Sequence, residues 1–199
     1  SDYVAMKNFS DLVAFHGHAC GGLALGYKAC ELAAQKLDLH FSENEEIVAI
    51  TETDSCTVDA IQVLLGCTMG KGNLFVHNWG KTAFSFYRRD TCTSIRLVAI
   101  PDVVPKSAQM VELRPKIMDG SATPAEDEEF HRLSHAHVDE ILAKRAEKLF
   151  AIKEAVQTMP QETTIYNNVI CSICGEQVAY GLAKQIDGTY ICIPCQMRK

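Results

Sequence analysis

The chain has 199 residues, 47% of them hydrophobic and 22% charged, with a formal net charge of −6. The length suits one medium domain with a small appendage, or two small domains, and the acidic balance is the wrong sign for holding nucleic acid by general electrostatics. No apolar run approaches the roughly 20 residues that cross a bilayer and the start carries no signal-peptide pattern, so no membrane association is expected.

In chain order, Tyr3 to Phe15 reads as a short amphipathic helix leading into Phe15-His16-Gly17-His18. A longer helix follows from about Gly22, with Leu23, Tyr27, Cys30, Ala34 and Leu37 at helical spacing. Glu46 to Thr53 reads as a strand and Val58 to Leu65 as a short helix. Gly66, Gly70 and Gly72 then break the chain before three strand candidates at Leu74–His77, Thr82–Tyr87 and Ser94–Ile100. One helix group and several consecutive strands predict an α+β core with a mostly antiparallel sheet. Pro101, Pro105 and Pro115 mark an irregular stretch. Thr123-Pro124-Ala125-Glu126 matches a capping box with Pro at the first helical position. The helix it opens is expected to run to about Val156, roughly 45 Å, longer than a core of this size needs and therefore suited to a partner. Residues 157–165 read as a linker, giving a core over 1–157 and a second domain over 165–199.

That second domain carries the clearest chemical signal. The chain has nine cysteines, an odd number, which disfavours a secreted disulfide framework. Four stand as Cys171-Ser-Ile-Cys174 and Cys192-Ile-Pro-Cys195. Each Cys-x-x-Cys turn points both sulfurs into one concavity, and two turns face to face supply four soft ligands in a tetrahedron, which zinc accepts. Gln177–Ile186 and Thr189–Ile193 read as strands around the hairpin signal Asp187-Gly188. The segment is too small to hold itself together by burial alone, so one structural zinc per chain is expected, in a reducing, cytoplasmic compartment; a redox pair, a disulfide pair or iron is the alternative use of these cysteines. From Thr164 onward three basic residues (Lys184, Arg198, Lys199) face two acidic ones (Glu176, Asp187), with no basic stripe for phosphates. Tyr166, Tyr180 and Tyr190 have rings that could stack on bases, but a hairpin core is their plainer use. Protein contact or structural reinforcement is the expected role, and nucleic acid is not.

Three further stretches carry reactive side chains beside expected helix starts: His16-Gly17-His18-Ala19-Cys20-Gly21-Gly22, Asp54-Ser55-Cys56-Thr57-Val58-Asp59, and Gly66-Cys67-Thr68-Met69-Gly70-Lys71-Gly72-Asn73. With helices opening just after Cys20 and Cys56, both thiols would sit at the positive end of a helix dipole, where the pKa falls. A thiolate beside neutral imidazole is a metal ligand set or an activated nucleophile with its base; Asp54 and Asp59 are placed to orient the imidazole or act as base. Cys30 and Cys92 read as core. His131 and His135 lie four apart on the long helix, spacing that fits a metal pair or, more plainly, a solvated face. The glycine-rich stretch is not a P-loop: only three residues separate Gly66 from Gly70, and Gly72 stands where Ser or Thr should follow Lys71.

At these residues the sequence resembles the FmdE family, named for a component of formylmethanofuran dehydrogenase. The shared markers are Phe15-His16-Gly17-His18-x-Cys20-x-Gly22, Asp54-Ser55-Cys56-x-x-Asp59-Ala60-Ile61-Gln62, Gly66-Cys67-Thr68-x-Gly70-Lys71-Gly72-Asn73-Leu74 and Gly80-Lys81-x-Ala83-Phe84. The resemblance implies an α+β core, often an intertwined homodimer, and in some members an added C-terminal treble-clef zinc finger. It also implies a cleft with a His/Cys cluster treated as a metal or active site. His18, Cys20 and Cys56 are the expected core ligands, with His16 and Cys67 behind them; Cys56, Asp59 and His18 are the catalytic candidates. Two departures stand out: Gly21 where Pro commonly follows the first Cys, and Asn78 where Asp is common. The family name does not confer the reaction, because reducing CO2 to a formyl group needs molybdenum or tungsten pterin and iron–sulfur machinery. The expected function is a dimeric, zinc-binding accessory protein with a second metal or small ligand in the core cleft. The rival is a metal- or thiol-dependent enzyme at that cleft; a third reading is a zinc-finger regulator binding nucleic acid or protein.

Overall fold

The computed structural model describes residues 7–198, so Tyr3 to Met6 of the expected first helix, and Lys199, lie outside the described residues. The chain divides into two compact units, one ending at Glu162 and the other beginning at Thr163.

The first unit opens with α1 (Phe9–His16), started by an Asn8–Asp11 capping box, and α2 (Gly21–Leu37). Then come β1 (Ile47–Thr51), α3 (Thr57–Leu65), β2 (Leu74–Val76), β3 (Ala83–Arg88) and β4 (Thr93–Ala99). It closes with α4 (Ala108–Asp119), α5 (Pro124–Ala143), α6 (Ala146–Leu149) and β5 (Phe150–Lys153). The five strands form one sheet in the order β2-β1-β3-β4-β5. Only β1 and β2 run parallel, joined through α3; the other pairs are antiparallel. The expected α+β class with a mostly antiparallel sheet is the observed one.

Strand alternation assigns the two faces. Ile47 and Ala49 of β1, Phe84 and Phe86 of β3, and Ile95 and Leu97 of β4 enter the main core with Leu23, Leu32, Ile61 and Leu64 of the helices. Val48, Ile50 and Tyr87 point the other way and are covered by Phe75, Ala155 and Met159. Burial on both faces explains why β1 reads as an unbroken apolar run rather than an alternating one.

Two packing details fix the geometry of the core. At the crossing of α2 and α3, a Cβ added to Gly26 would lie 2.7 Å from the Thr57 carbonyl oxygen and 2.8 Å from the Ala60 Cβ. The two helices therefore approach closer than any side chain at position 26 allows. Beyond β1, Glu52 is 2% exposed and accepts two bonds from Arg96, at 2.7 Å from Nε and 3.1 Å from Nη2. This bidentate pair is charge-assisted and largely desolvated.

The structure corrects three expectations. The long helix stops at Ala143 instead of running to about Val156; Phe150–Lys153 instead pairs with Arg96–Ala99 as an edge strand. The helical period of residues 144–156 loses to sheet pairing and to burial of Phe150 against Phe84, a tertiary override of local propensity. The stretch with Pro105 and Pro115 is not all irregular: Ser107 caps α4, and Pro115 sits exposed inside it, where a missing ladder bond costs least. In the second unit the expected strand from Gln177 to Ile186 is split. It becomes β7 (Gln177–Ala179), paired with β6 (Asn168–Ile170), a 3-10 turn at Tyr180–Leu182, and β8 (Lys184–Ile186), paired with β9 (Thr189–Ile191). Asp187 and Gly188 both have positive φ (47° and 78°) in the β8–β9 turn, as a two-residue hairpin demands. A short helix, α7 (Ile193–Met197), replaces the end of the last expected strand, with Pro194 in its first turn.

Gly26→Ala is expected to cost about 1–3 kcal/mol through overpacking and to loosen the α2–α3 contact, read as a lower urea midpoint. Arg96→Met leaves the Glu52 carboxylate buried without its partner and is expected to cost about 3–5 kcal/mol in the same assay. The double change with Glu52→Met should recover most of that loss.

Candidate metal centres

In the second unit, Cys171 follows β6 and Cys174 lies in the tight turn before β7, closed by the Gly175 N–H donating to the Cys171 carbonyl at 2.9 Å. Cys192 caps the start of α7 and Cys195 stands in its first turn. A knuckle at one end of a hairpin and a second sulfur pair at a helix start form a treble-clef arrangement. All four sulfurs lie within 4.8 Å of one another, with Cys174 Sγ 3.8 Å from Cys192 Sγ. A tetrahedron built on Zn–S bonds of about 2.3 Å has edges of roughly 3.8 Å, whereas a disulfide requires about 2.05 Å. All four cysteines are free thiols.

The electrostatics fit a cation. Backbone N–H groups of Cys174, Cys192 and Ile173 aim at the Cys171 sulfur and bring its pKa down to about 6. Contact with the Cys192 thiol, together with burial, pushes Cys195 up to about 12. One thiolate forms readily here, but a full set of thiolates needs a positive charge among them, which a divalent ion provides.

The first unit brings together a second donor group. His16, Cys20 and Cys56 each offer one ligand atom, all within 4.8 Å of one another. Three elements deliver them: His16 ends α1, Cys20 caps α2 with its sulfur accepting from the Leu23 N–H at 3.3 Å, and Cys56 caps α3. The sulfurs meet over Gly22, where an added Cβ would stand 3.2 Å from the Cys56 Cβ and about equally far from both sulfurs, at 3.9 and 4.0 Å. Asp59 Oδ2 lies 2.6 Å from His16 Nδ1. With the Nδ1 proton held by that carboxylate, Nε2 is left as the lone-pair donor, 3.9 Å from Cys20 Sγ. Gln62 Nε2 donates to the other Asp59 oxygen at 3.1 Å and fixes the carboxylate in turn. One imidazole and two sulfurs, with a fourth position open, are a donor set that zinc takes in sites that also bind a ligand.

Several sequence expectations change here. His18 is outside the donor group and His16 is inside it. The chain makes a left-handed turn at Gly17, so the two imidazoles do not project alike from an extended segment; His18 stacks on His16 instead, with ring centroids 4.6 Å apart. Cys67 is also outside: it is fully buried, contacts the Ile47 carbonyl, and burial pushes its pKa up to about 12. The motif around it is a structural clasp. Buried Asn73 donates to the carbonyls of Asn44, Ile47 and Gly66 and accepts from the Thr68 N–H. Cys56 does not have the lowered pKa that a helix start suggested; burial and the adjacent Cys20 thiol raise it. Cys30 is buried in the core, whereas Cys92 is exposed, contrary to its expected core position. His131 and His135 lie on an exposed face, His131 within 3.6 Å of Asp127. His137 was not singled out, yet it packs on the start of α2: a Cβ at Gly21 would lie 3.0 Å from its Cδ2. Burial, then Lys106, lowers its pKa. Only the docking of α5 on α2 reveals it.

An α+β core with a His/Cys donor group, joined to a treble-clef unit of four cysteines, defines a protein with two candidate metal-binding groups. Residues 15–151 match the family described as FmdE, Molybdenum formylmethanofuran dehydrogenase operon. The chain belongs to the FmdE family. It is 32% identical over 200 aligned residues to a probable S-adenosyl-L-methionine-binding protein of Archaeoglobus fulgidus, an alignment covering 90% of this chain and 52% of that protein. The chain thus spans about half the length of that relative. Its fold is like that of a crystallised FmdE-like protein of the tungsten formylmethanofuran dehydrogenase type from Syntrophus aciditrophicus. The TM-score is 0.56 at 24% identity, covering 98% of this chain and 97% of that one.

Asp59→Ala removes the group that orients His16. Cobalt affinity at the core cluster, followed by thiolate-to-metal absorption, is expected to fall about 10–100-fold while the four-cysteine unit still loads.

Proposed function

We propose that this FmdE-family protein is a zinc-binding accessory protein rather than a self-sufficient enzyme. The four-cysteine unit holds a structural zinc, and the His16/Cys20/Cys56 cleft holds a second metal that presents or receives a small ligand. The observation that carries the reading is the convergence of three separate helix ends on one soft donor set, with Asp59 behind the imidazole. The alternative of a bare thiol nucleophile is weakened by the raised Cys56 pKa, because the thiolate is the nucleophile. A divalent ion in the cleft would supply Lewis acidity; His16, Cys20 and Cys56 hold it, and Asp59 fixes the proton of His16. In the tail, zinc contributes roughly 10–16 kcal/mol of apparent folding free energy, far more than so small a unit gains from its own burial.

A homodimer is part of this reading. Exposed apolar residues on α4 (Val111, Met118) and on edge strand β5 (Ile152) support it. So is a contact with a protein partner through the four-cysteine unit, and a reducing, cytoplasmic setting, supported by nine cysteines of which none is in a disulfide. Among the described residues no helix is long and apolar enough to cross a membrane. A second reading, favoured by the Archaeoglobus relative, is that the core cleft binds S-adenosyl-L-methionine; calorimetric titration of the full chain with that compound tests it.

The deciding experiment is an elemental metal count on the purified full chain and on Cys56→Ala. About two metals per chain falling to about one, with zinc retained in the tail, is the expected result. An unchanged count would remove the core site. Exhaustive chelation is expected to raise hydrogen exchange throughout residues 163–198; a tail that stays protected would remove the structural zinc.

A further inference from the structure

The β1–α3–β2 connection is a parallel crossover inside an otherwise antiparallel sheet, and in such units ligands gather outside the carboxyl ends of the strands. Thr51 pairs with Val76. From that level β1 runs on through Glu52 to Cys56, and β2 runs on through His77 to Lys81, so the 77–81 loop stands at the same end of the unit as the core donor group.

This loop holds Trp79, the sole tryptophan in the chain, which is 56% exposed. The loop is tightly held. The His77 N–H donates to Thr51 O at 2.8 Å, the Trp79 N–H to Glu52 O at 3.1 Å and the Lys81 N–H to Glu52 O at 3.0 Å. Glu52 is itself anchored by Arg96. The His77 ring backs the indole, with centroids 5.3 Å apart at a tilt of 37° and its Nδ1 turned into the protein. Two residues after Trp79 on the same loop, Lys81 is exposed and makes no ion pair among the described residues. A large aromatic face kept in water on a pre-ordered loop, with an exposed cation two residues on, is suited to a flat ring that carries an anion: stacking needs no ordering of the loop, and the ammonium reads the charge.

We infer that Trp79, backed by His77 and flanked by Lys81, is a binding platform for a planar heteroaromatic ring bearing a phosphate or carboxylate. The inference deepens the reading of the core cleft as a ligand site, because the ring's substituent would extend from the loop toward Cys56.

The sole tryptophan makes the test direct. Indole emission of the full chain is followed during titration with adenosine 5′-monophosphate and, separately, with adenosine. Saturable quenching by both, tighter for the monophosphate, is expected. Equilibrium dialysis of the monophosphate should show about tenfold weaker binding to Trp79→Ala, with Trp79→Phe close to the parent. Lys81→Ala should weaken the monophosphate severalfold and leave adenosine unchanged. The inference is overturned by unquenched emission at millimolar nucleotide, by Trp79→Ala binding like the parent, or by emission that follows protein concentration and not ligand, which would mark the loop as a self-association surface. Cobalt absorption of Trp79→Ala separates the two readings. An unchanged spectrum with lost nucleotide binding supports the platform, whereas unaltered nucleotide binding sinks it and leaves the metal cleft standing.

Discussion

The core depends on how closely α2 and α3 approach. Gly26 meets the Thr57 carbonyl and Ala60 with no room for a side chain, and one turn earlier Gly22 meets Cys56. Two glycines four apart lie on one helix face, so the same strip of α2 that lets the helices close also brings their starts together. Cys20 and Cys56 share a space because both cap those starts. A wider crossing would leave two isolated thiols and a histidine. The catalytic-looking constellation is therefore a consequence of helix packing.

The sheet supplies the fixed frame against which this happens. β1 is buried on both faces and ends in the Glu52–Arg96 pair, while Asn73 uses its side-chain hydrogen bonds to tie the 66–73 loop to the chain before and within β1. These buried polar contacts specify register more than they add stability, since a satisfied pair in a dry setting roughly offsets its own desolvation. The Asn73 contacts hold the entries of β1 and β2, the Glu52–Arg96 pair stands at the exit of β1, and the exits carry Cys56 on one side and Trp79 on the other. The four-cysteine unit follows a different principle: among the described residues, Cys171, Cys192 and Cys195 are its buried centre with Val178 and Ile191 packed on them, so its interior is made of candidate ligands.

Much of this was legible in the chain itself. The Cys-x-x-Cys spacing, the Asp187-Gly188 turn, the Thr123 capping box and the α+β order rest on local stereochemistry, and local stereochemistry is written in neighbouring residues. The separated motifs around Cys20, Cys56 and Asn73 were enough to point to the FmdE family. The choice between His16 and His18 was not legible, because it turns on whether α1 reaches position 16 and where the left-handed turn at Gly17 sends the next residue. Cys67 resembled Cys20 in its glycine-rich setting, and burial separates them. The sequence by itself determined which side chains were available and which short turns they occupy. Only the tertiary structure decided that residues 150–153 leave a helical period to pair with β4, that Asp59 turns the His16 ring, and that His137 reaches Gly21. Each of these is a contact between residues far apart in the chain, whose closing entropy is repaid only when the whole core assembles.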